Sequence, residues 1–223
     1  QTLALGMDVY KDIIVSVLDE LLQPEMIYER NDASVRTLEG LPLQKGFLKG
    51  QGETMLQVSE NGLLFYADIE NGQKTGFFYD QRDNRRLLSK FVADAEVLDC
   101  FCFTGSFSIH AAAYGARHVT GIDISAAAVE MAKKNAVLNQ VQNSCDFQEA
   151  NAFDLLREYS DSGRSYDTVI LDPPAFTKSK SSVESAARGY KEINLRGLKM
   201  IRPGGYLVTC SCSFHMDRNL FRT

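Results

Sequence analysis

Val97-Leu98-Asp99-Cys100-Phe101-Cys102-Phe103-Thr104-Gly105-Ser106-Phe107 reads as a buried strand, a tight loop and the start of a helix. The apolar run supplies the strand, and Gly105 lets the backbone turn and approach a ligand closely. Working outward, the helix runs to about Tyr114, and a second strand, His118–Ile122, delivers Asp123 at its end. Ser125 is placed to cap a helix reaching about Asn139, with Val129, Ala132 and Ala136 on its inner face. Beyond it come a weak strand at Asp146–Glu149, a short helix at Phe153–Tyr159 and a strand at Tyr166–Leu171. A helix at Val183–Ile201, closed by Pro203-Gly204-Gly205, and a strand at Tyr206–Cys210 follow. Strands alternating with helices predict right-handed crossovers and a mostly parallel α/β sheet. Ligands of such sheets bind beyond the carboxyl ends of the strands, where the strand order reverses.

Toward the amino terminus the pattern differs. Residues 7–22 carry Tyr10, Ile14, Val17, Leu18 and Leu21 at helical spacing, which predicts one helix with a buried stripe. Met26-Ile27-Tyr28 is a short apolar strand. Met55–Glu60 and Leu63–Ile69 flank Asn61-Gly62, a hairpin signal because both positions tolerate positive φ, and a second Asn-Gly at 71–72 ends the next strand. The expected division is a small α+β domain over residues 1–75 and the α/β domain over residues 76–223.

With 223 residues, 44% of them hydrophobic, the chain has material for a sizeable core. A net charge of −5 argues against a surface built to coat nucleic acid, though not against one local basic groove. No apolar stretch approaches the roughly 20 residues of a membrane span, and no secretory signal pattern opens the chain. Five cysteines, an odd number, fit reduced thiols in the cytoplasm better than a disulfide framework.

Asp123 is a carboxylate able to accept hydrogen bonds from both hydroxyls of a ribose, as any adenosine cofactor requires. A nicotinamide dinucleotide needs several glycines around its pyrophosphate, whereas this loop has one useful glycine among Phe101, Phe103 and Phe107. S-adenosylmethionine carries no phosphate and needs no such cradle, so the loop favours it. The bland reading is a βα turn whose rings simply pack. Asn151 has two readings, an amide on the adenine edge or the cap of the next helix, and Phe153 is placed to pack against the adenine ring.

Asp172-Pro173-Pro174-Ala175-Phe176 follows one strand and Cys210-Ser211-Cys212-Ser213 ends another. Parallel strands bring both tips to one rim, so an acid and a thiol meet there. The prolines stiffen the loop, and Phe176 is placed either to stack on a flat base or to join the core. Cytosine C5 is a poor nucleophile; a thiolate added at C6, with N3 protonated by an acid, makes C5 enamine-like. In this reading Asp172 is the acid and Cys212 the thiolate. An unperturbed thiol is only about 3% thiolate at pH 7, so the site must assist it. Cys210 and Cys212 equally suit buried structural thiols. The Cys-x-Cys pairs at 100/102 and 210/212 lack the usual metal spacing and a nearby His, which argues against a metal site.

Five segments carry a family resemblance: Arg36-Thr37-Leu38-Glu39-Gly40, Gly76-Phe77-Phe78-Tyr79-Asp80-Gln81-Arg82-Asp83-Asn84-Arg85, Phe103-Thr104-Gly105, Asp172-Pro173-Pro174-Ala175-Phe176 and Ser211-Cys212-Ser213. They resemble the class I S-adenosylmethionine-dependent methyltransferases, and more narrowly the large-subunit ribosomal RNA cytosine-C5 methyltransferase family. The resemblance implies a Rossmann-like domain with the cofactor along Phe103, Thr104 and Gly105, and Asp123 on the ribose. It places Asn151 where the family usually has Asp, with Phe153 beside it, and it matches the nucleophile to Cys212, not Cys210. Members that methylate guanine share the Asp-Pro-Pro segment but lack this cysteine, which is the reason for expecting cytosine. The resemblance also leads us to expect an amino-terminal RNA-binding module and closing antiparallel strands, and so to read the 223 residues as part of a longer polypeptide.

The expected partners are ribosomal RNA and, in a homodimer, a second copy of the chain. Pro173, Pro174, Phe176, Lys178 and Arg82 are the expected substrate contacts. The loop Phe176–Ser182 either orders on RNA or is merely solvated, and Gln81, Arg82, Arg85 and Arg86 either line the cofactor or phosphate groove or simply open a helix. Two other functions compete: methylation of a base nitrogen with Cys212 a bystander, and a non-catalytic cofactor- and RNA-binding assembly factor.

Overall fold

The computed structural model describes residues 1–73, 75–177 and 179–222. It divides into Gln1–Gln57 with Ala67–Phe78, and Val58–Tyr66 with the chain from Tyr79 onward. The first unit begins with α1 (Leu5–Val9), α2 (Lys11–Leu22), β1 (Ile27–Asn31), α3 (Val35–Leu38) and β2 (Gln44–Lys49), with β1 and β2 antiparallel. The one helix predicted over 7–22 is two, because Tyr10 leaves helical geometry (φ −90°, ψ 8°). Its stripe is not buried: Val17, Leu18 and Leu21 are exposed. A two-stranded ribbon is too narrow to cover a helix face, so periodicity reported amphipathicity without a covering layer. The largest buried side chain here is Arg36, which donates to the Pro42 carbonyl (3.1 Å), Thr2 Oγ1 (2.9 Å) and Asp8 Oδ1 (3.0 Å).

β3 (Met55–Glu60) and β4 (Leu63–Asp68) form the predicted hairpin, with Asn61 at φ 52° and Gly62 at φ 85°. β4 stops before the second Asn-Gly. Asp68 Oδ1 accepts from the backbone of Glu70 (3.0 Å) and Asn71 (2.8 Å), and this Asp-centred turn ends the strand first.

The second unit runs α4 (Arg82–Leu87), β5 (Glu96–Cys100), α5 (Ser106–Ala113), β6 (His118–Asp123), α6 (Ala126–Leu138), β7 (Cys145–Glu149), α7 (Ala152–Asp161), β8 (Tyr166–Leu171), α8 (Val183–Lys199), β9 (Ile201–Thr209) and α9 (Arg218–Arg222). The sheet order is β7-β6-β5-β8-β9 and every neighbouring pair is parallel. Connections leave β5 toward β6 on one side, and β8 lies on its other side, so the order reverses between β5 and β8. Leu98, Ile122, Leu156, Val169, Leu171 and Ile193 are fully buried. Each contributes roughly 1.5–3 kcal/mol of apolar burial.

The last strand starts earlier than its pattern indicated. α8 ends at Lys199, β9 opens at Ile201, and the register jumps from Tyr166↔Ile201 to Thr168↔Tyr206. Pro203-Gly204-Gly205 is therefore looped out within β9. A Cβ on Gly205 would stand 2.4 Å from the Asp167 carbonyl oxygen, so no larger residue fits there.

The hairpin tip is held by side chains of this unit. Glu60 accepts two bonds from Arg85 (2.6 and 2.8 Å), both residues buried, and Phe65 stacks on His110 with centroids 5.5 Å apart. Asn135 Oδ1 accepts from Tyr66 N (2.8 Å), while Asn139 accepts from Leu64 N (2.9 Å) and donates to Leu64 O (2.6 Å). Among the described residues, no helix is long and apolar enough to cross a membrane.

Candidate active site

Beyond β5 the chain takes left-handed geometry three times in five residues, at Phe101 (φ 64°), Phe103 (φ 50°) and Gly105 (φ 81°). Two of these are bulky residues, and such geometry costs of order 1–3 kcal/mol at each. Hydrogen bonds hold it: Cys102 N donates to Ile122 O (2.9 Å), Gly105 N to Cys102 O (2.8 Å) and Phe103 N to Asp123 Oδ2 (2.8 Å). Asp123 Oδ1 accepts from Ser125 N (2.9 Å), so this carboxylate ties the loop after β5 to the turn after β6. Gly105 is required by packing: a Cβ there would lie 2.9 Å from Ala132 Cβ and 3.1 Å from the Phe147 ring.

Asp99 is wholly buried in β5. Its Oδ2 accepts from the Ser108 hydroxyl (2.6 Å), and its Oδ1 has no partner. Burial pushes its carboxyl up to about 7; the Ser108 bond opposes this, and the charges of Asp172 and Asp123 add to it. Thr104 Oγ1 is likewise buried without a partner, while its carbonyl accepts from Asn135 Nδ2 (3.0 Å). Two orphaned polar atoms, one within β5 and one on the loop that follows it, fit a polar ligand with hydrogen-bonding groups, as the nucleoside and amino-acid portions of S-adenosylmethionine have.

Asn151 caps α7, its Oδ1 accepting from Phe153 N (2.9 Å). Phe153 packs edge-on to Phe101 (6.1 Å) and tilted against Phe176 (5.5 Å). Phe176 is half-buried and lies 4.5 Å from the Tyr190 ring, with Gly189 leaving room for it. The strongly exposed ring at this rim is Phe214, 92% exposed, two residues past Cys212.

At the tip of β8, Asp172 is half-buried and accepts from Gln81 Nε2 (3.1 Å). Burial and then Asp80 push its carboxyl up to about 6, against the pull of Arg85, Cys210 and Gln81. Pro173 is buried and Pro174 exposed. The backbone of Cys210 donates to Leu171 O (2.9 Å), which sets its thiol on the Asp172 carboxyl; burial first, then Asp172, pushes that thiol up to about 12. The chain has left the strand after Thr209, so the alternation of faces ends there. Cys212 is exposed, and its Sγ donates to the Pro173 carbonyl at 3.7 Å. Ser213 anchors this segment to α8 through Tyr190 Oη (2.9 Å) and to the Asp172 loop through Thr177 N (3.3 Å). The thiol touching the acid is thus Cys210, and the accessible one is Cys212, beside the next residue's carbonyl. Arg82 is exposed near Asp83 (3.6 Å), and Lys178 lies outside the described residues. Residue-by-residue reading passed over Asp99, whose signal is an acid inside an apolar strand; it named Gln81 only as a groove or helix-opening residue, and only the fold joins Gln81 to Asp172.

A cavity of about 400 Å³ opens at the other, amino end of the sheet, between Phe91, Arg117, Asp167, Arg202 and Tyr206. Its charged groups are already spent on one another in ion pairs, so the carboxyl rim is the better candidate site.

Residues 30–220 match the family described as S-adenosylmethionine-dependent methyltransferase. Over its full length the chain is 42% identical to Ribosomal RNA large subunit methyltransferase I of Shewanella amazonensis and 45% identical to the protein of that name from Aliivibrio fischeri. It spans 57% of each of those proteins. Among solved structures, SMU.776 complexed with SAH superposes with a TM-score of 0.82 at 24% identity, covering 97% of this chain and 55% of that one. An S-adenosylmethionine-dependent methyltransferase from Agrobacterium tumefaciens gives 0.69 at 22% identity, covering 92% and 66%. These two likenesses show the class I, Rossmann-like fold expected from the sequence.

Proposed function

Because this chain belongs to the S-adenosylmethionine-dependent methyltransferase family, we propose that it methylates large-subunit ribosomal RNA, forming 5-methylcytosine through a covalent adduct on Cys212. The observation that carries this reading is the exposed Cys212 sulfur 3.7 Å from the carbonyl of Pro173, the residue next to the acid Asp172. A base seated over Pro173 and Pro174 would meet the thiol on one side and the carboxyl on the other.

In the proposed cycle the Cys212 thiolate adds to C6, forming the S–C6 bond, while Asp172 gives its proton to N3. S-adenosylmethionine, when bound there, would supply an electrophilic methyl group for C5, its sulfonium taking up the bonding pair as a neutral thioether. Loss of the C5 proton to a base, return of the N3 proton and cleavage of S–C6 then regenerate the thiolate and an aromatic base. Raising Asp172 to about 6 suits it to donate, because a protonated fraction persists near neutral pH. Asp99 and Thr104 are positioned to bind the cofactor through their unpartnered oxygens, and Asp123 its ribose. Asn151, with its Oδ1 taken by the helix cap, would offer the adenine edge its amide N–H groups. Phe214 offers an open ring face to a flanking base, with Phe176 supporting the pocket floor. Lys178 and Arg82 remain the proposed phosphate contacts.

The test is RNA containing 5-fluorocytosine, which cannot lose a proton from C5 and so traps the adduct. Wild type should form a protein–RNA adduct stable to denaturant, and Cys212→Ala should form none. A second reading draws on the contact between Asp172 and Cys210: the carboxyl would grip an exocyclic amino group while a base nitrogen is methylated. It predicts no adduct from wild type and undiminished methylation by Cys212→Ala.

A further inference from the structure

Gln81 ends the turn Tyr79–Gln81 that leads into α4, far in sequence from either tip of the rim. Its side chain is fixed at both ends. Asn84 Nδ2 donates to Gln81 Oε1 (2.6 Å), which commits the other end of the amide, Nε2, to the Asp172 carboxylate (3.1 Å). Cys210 bonds to the same amide and the same carboxyl. α4 gives the amide a firm base, since Arg85 within it is held by both oxygens of the buried Glu60.

We propose that Gln81 is a positioning residue of the methyl-transfer site: its amide, locked by Asn84, holds the Asp172 carboxyl in the orientation in which that group meets the substrate base. This rests on the reading of Asp172 as the acid. Asp172 is faced by Asp80 from the same turn, Arg85 from α4, Asp99 from β5 and Cys210 after β9. Gln81 and Cys210 are its hydrogen-bonding side-chain neighbours in that set. An N–H donated to a carboxylate favours the ionised form, so losing it leaves the proton held more tightly. The orientation is lost at the same time, which lowers kcat while leaving affinity for RNA intact.

The test follows the Asp172 carboxyl carbon by NMR titration of the 223-residue chain, its signal assigned by disappearance in Asp172→Asn. In Gln81→Leu, which keeps the bulk and removes the bonds, the midpoint should rise by about half a pH unit or more. Asn84→Ala should raise it less, because the amide is then free to turn away, and this variant decides the matter if Gln81→Leu does not fold. In methylation assays the alkaline limb of kcat/KM should move up with the titration, and kcat should fall about tenfold at constant KM. A midpoint unmoved in the folded variants overturns the proposal. The titration needs no turnover: if the wild-type chain methylates no RNA while Gln81→Leu still raises the midpoint, the function proposed above fails and the hold of Gln81 on Asp172 stands.

Discussion

The two ends of one sheet handle charge in opposite ways. At the amino end, Arg202 bridges Asp167 (2.8 Å) and Glu96 (3.0 Å), and Arg117 reaches Asp167 (3.7 Å). The backbone N–H of Glu96 and then Arg202 hold the Asp167 carboxyl below its usual range. At the carboxyl end, Asp99 and Asp172 are both pushed up, and Asp99, Thr104 and Thr209 keep buried oxygens without partners. Strands β5, β8 and β9 contribute to both ends. One end pairs its charges with one another; the other keeps acids with raised carboxyls and buried oxygens without partners. That contrast marks where a ligand belongs more sharply than cavity size does.

The comparison breaks most visibly at Cys212. Cys212→Ala should cut turnover by about 10⁴-fold or more in a radiolabelled methyl-transfer assay, with its melting temperature unchanged, since the side chain is exposed. Asp172→Asn should cost about 10²–10³-fold and remove the alkaline limb set near pH 6. Asp99→Asn sharpens the contrast through stability. A carboxyl whose folded pKa is raised from 3.8 to about 7 holds an extra proton in the folded state between those values. Its stability contribution is therefore fully present below about pH 4 and is lost as pH rises through about 7, by an amount on the order of 4 kcal/mol. Urea melts of Asp99→Asn should accordingly flatten between pH 5 and 8 and gain about 2 kcal/mol at pH 8, if asparagine keeps the Ser108 bond. The smallest effect belongs to the amino end: Arg202→Ala should lower Tm by less than about 3 °C, more at low salt than at high, with kcat/KM intact. A large activity loss in that variant would erase the division of labour between the two ends.

Much of this was legible in the chain, for identifiable reasons. Asn61-Gly62 declares its hairpin because its φ requirement is local, and Ser125 declares its helix because a cap needs no distant partner, the hydroxyl accepting from Ala128 N at 3.3 Å. The strand–helix alternation declares the parallel pairing, because a helical crossover returns the chain in the same direction. What escaped depends on company. The stripe on α2 has the spacing of a buried face, yet Val17, Leu18 and Leu21 stay exposed and Ile14 is only half-buried. Cys210 and Cys212 look equivalent on a two-residue repeat, yet the strand ends between Thr209 and Cys210 and the two thiols part ways. Gly105, read as a turn that brings the backbone close to a ligand, does turn at φ 81°, but its lack of a Cβ is also required by Ala132 and Phe147, which no local pattern shows.

The asparagines of α6 have a consequence beyond holding a hairpin. Four residues along a helix rise about 6 Å and two along a strand about 6.7 Å, so Asn135 and Asn139 meet Tyr66 and Leu64 almost in step. A helix here imitates the hydrogen-bonding edge of a neighbouring strand. Donors that would otherwise invite a foreign chain to dock and begin aggregation are already spoken for, and a slip of one residue in β4 would forfeit them all.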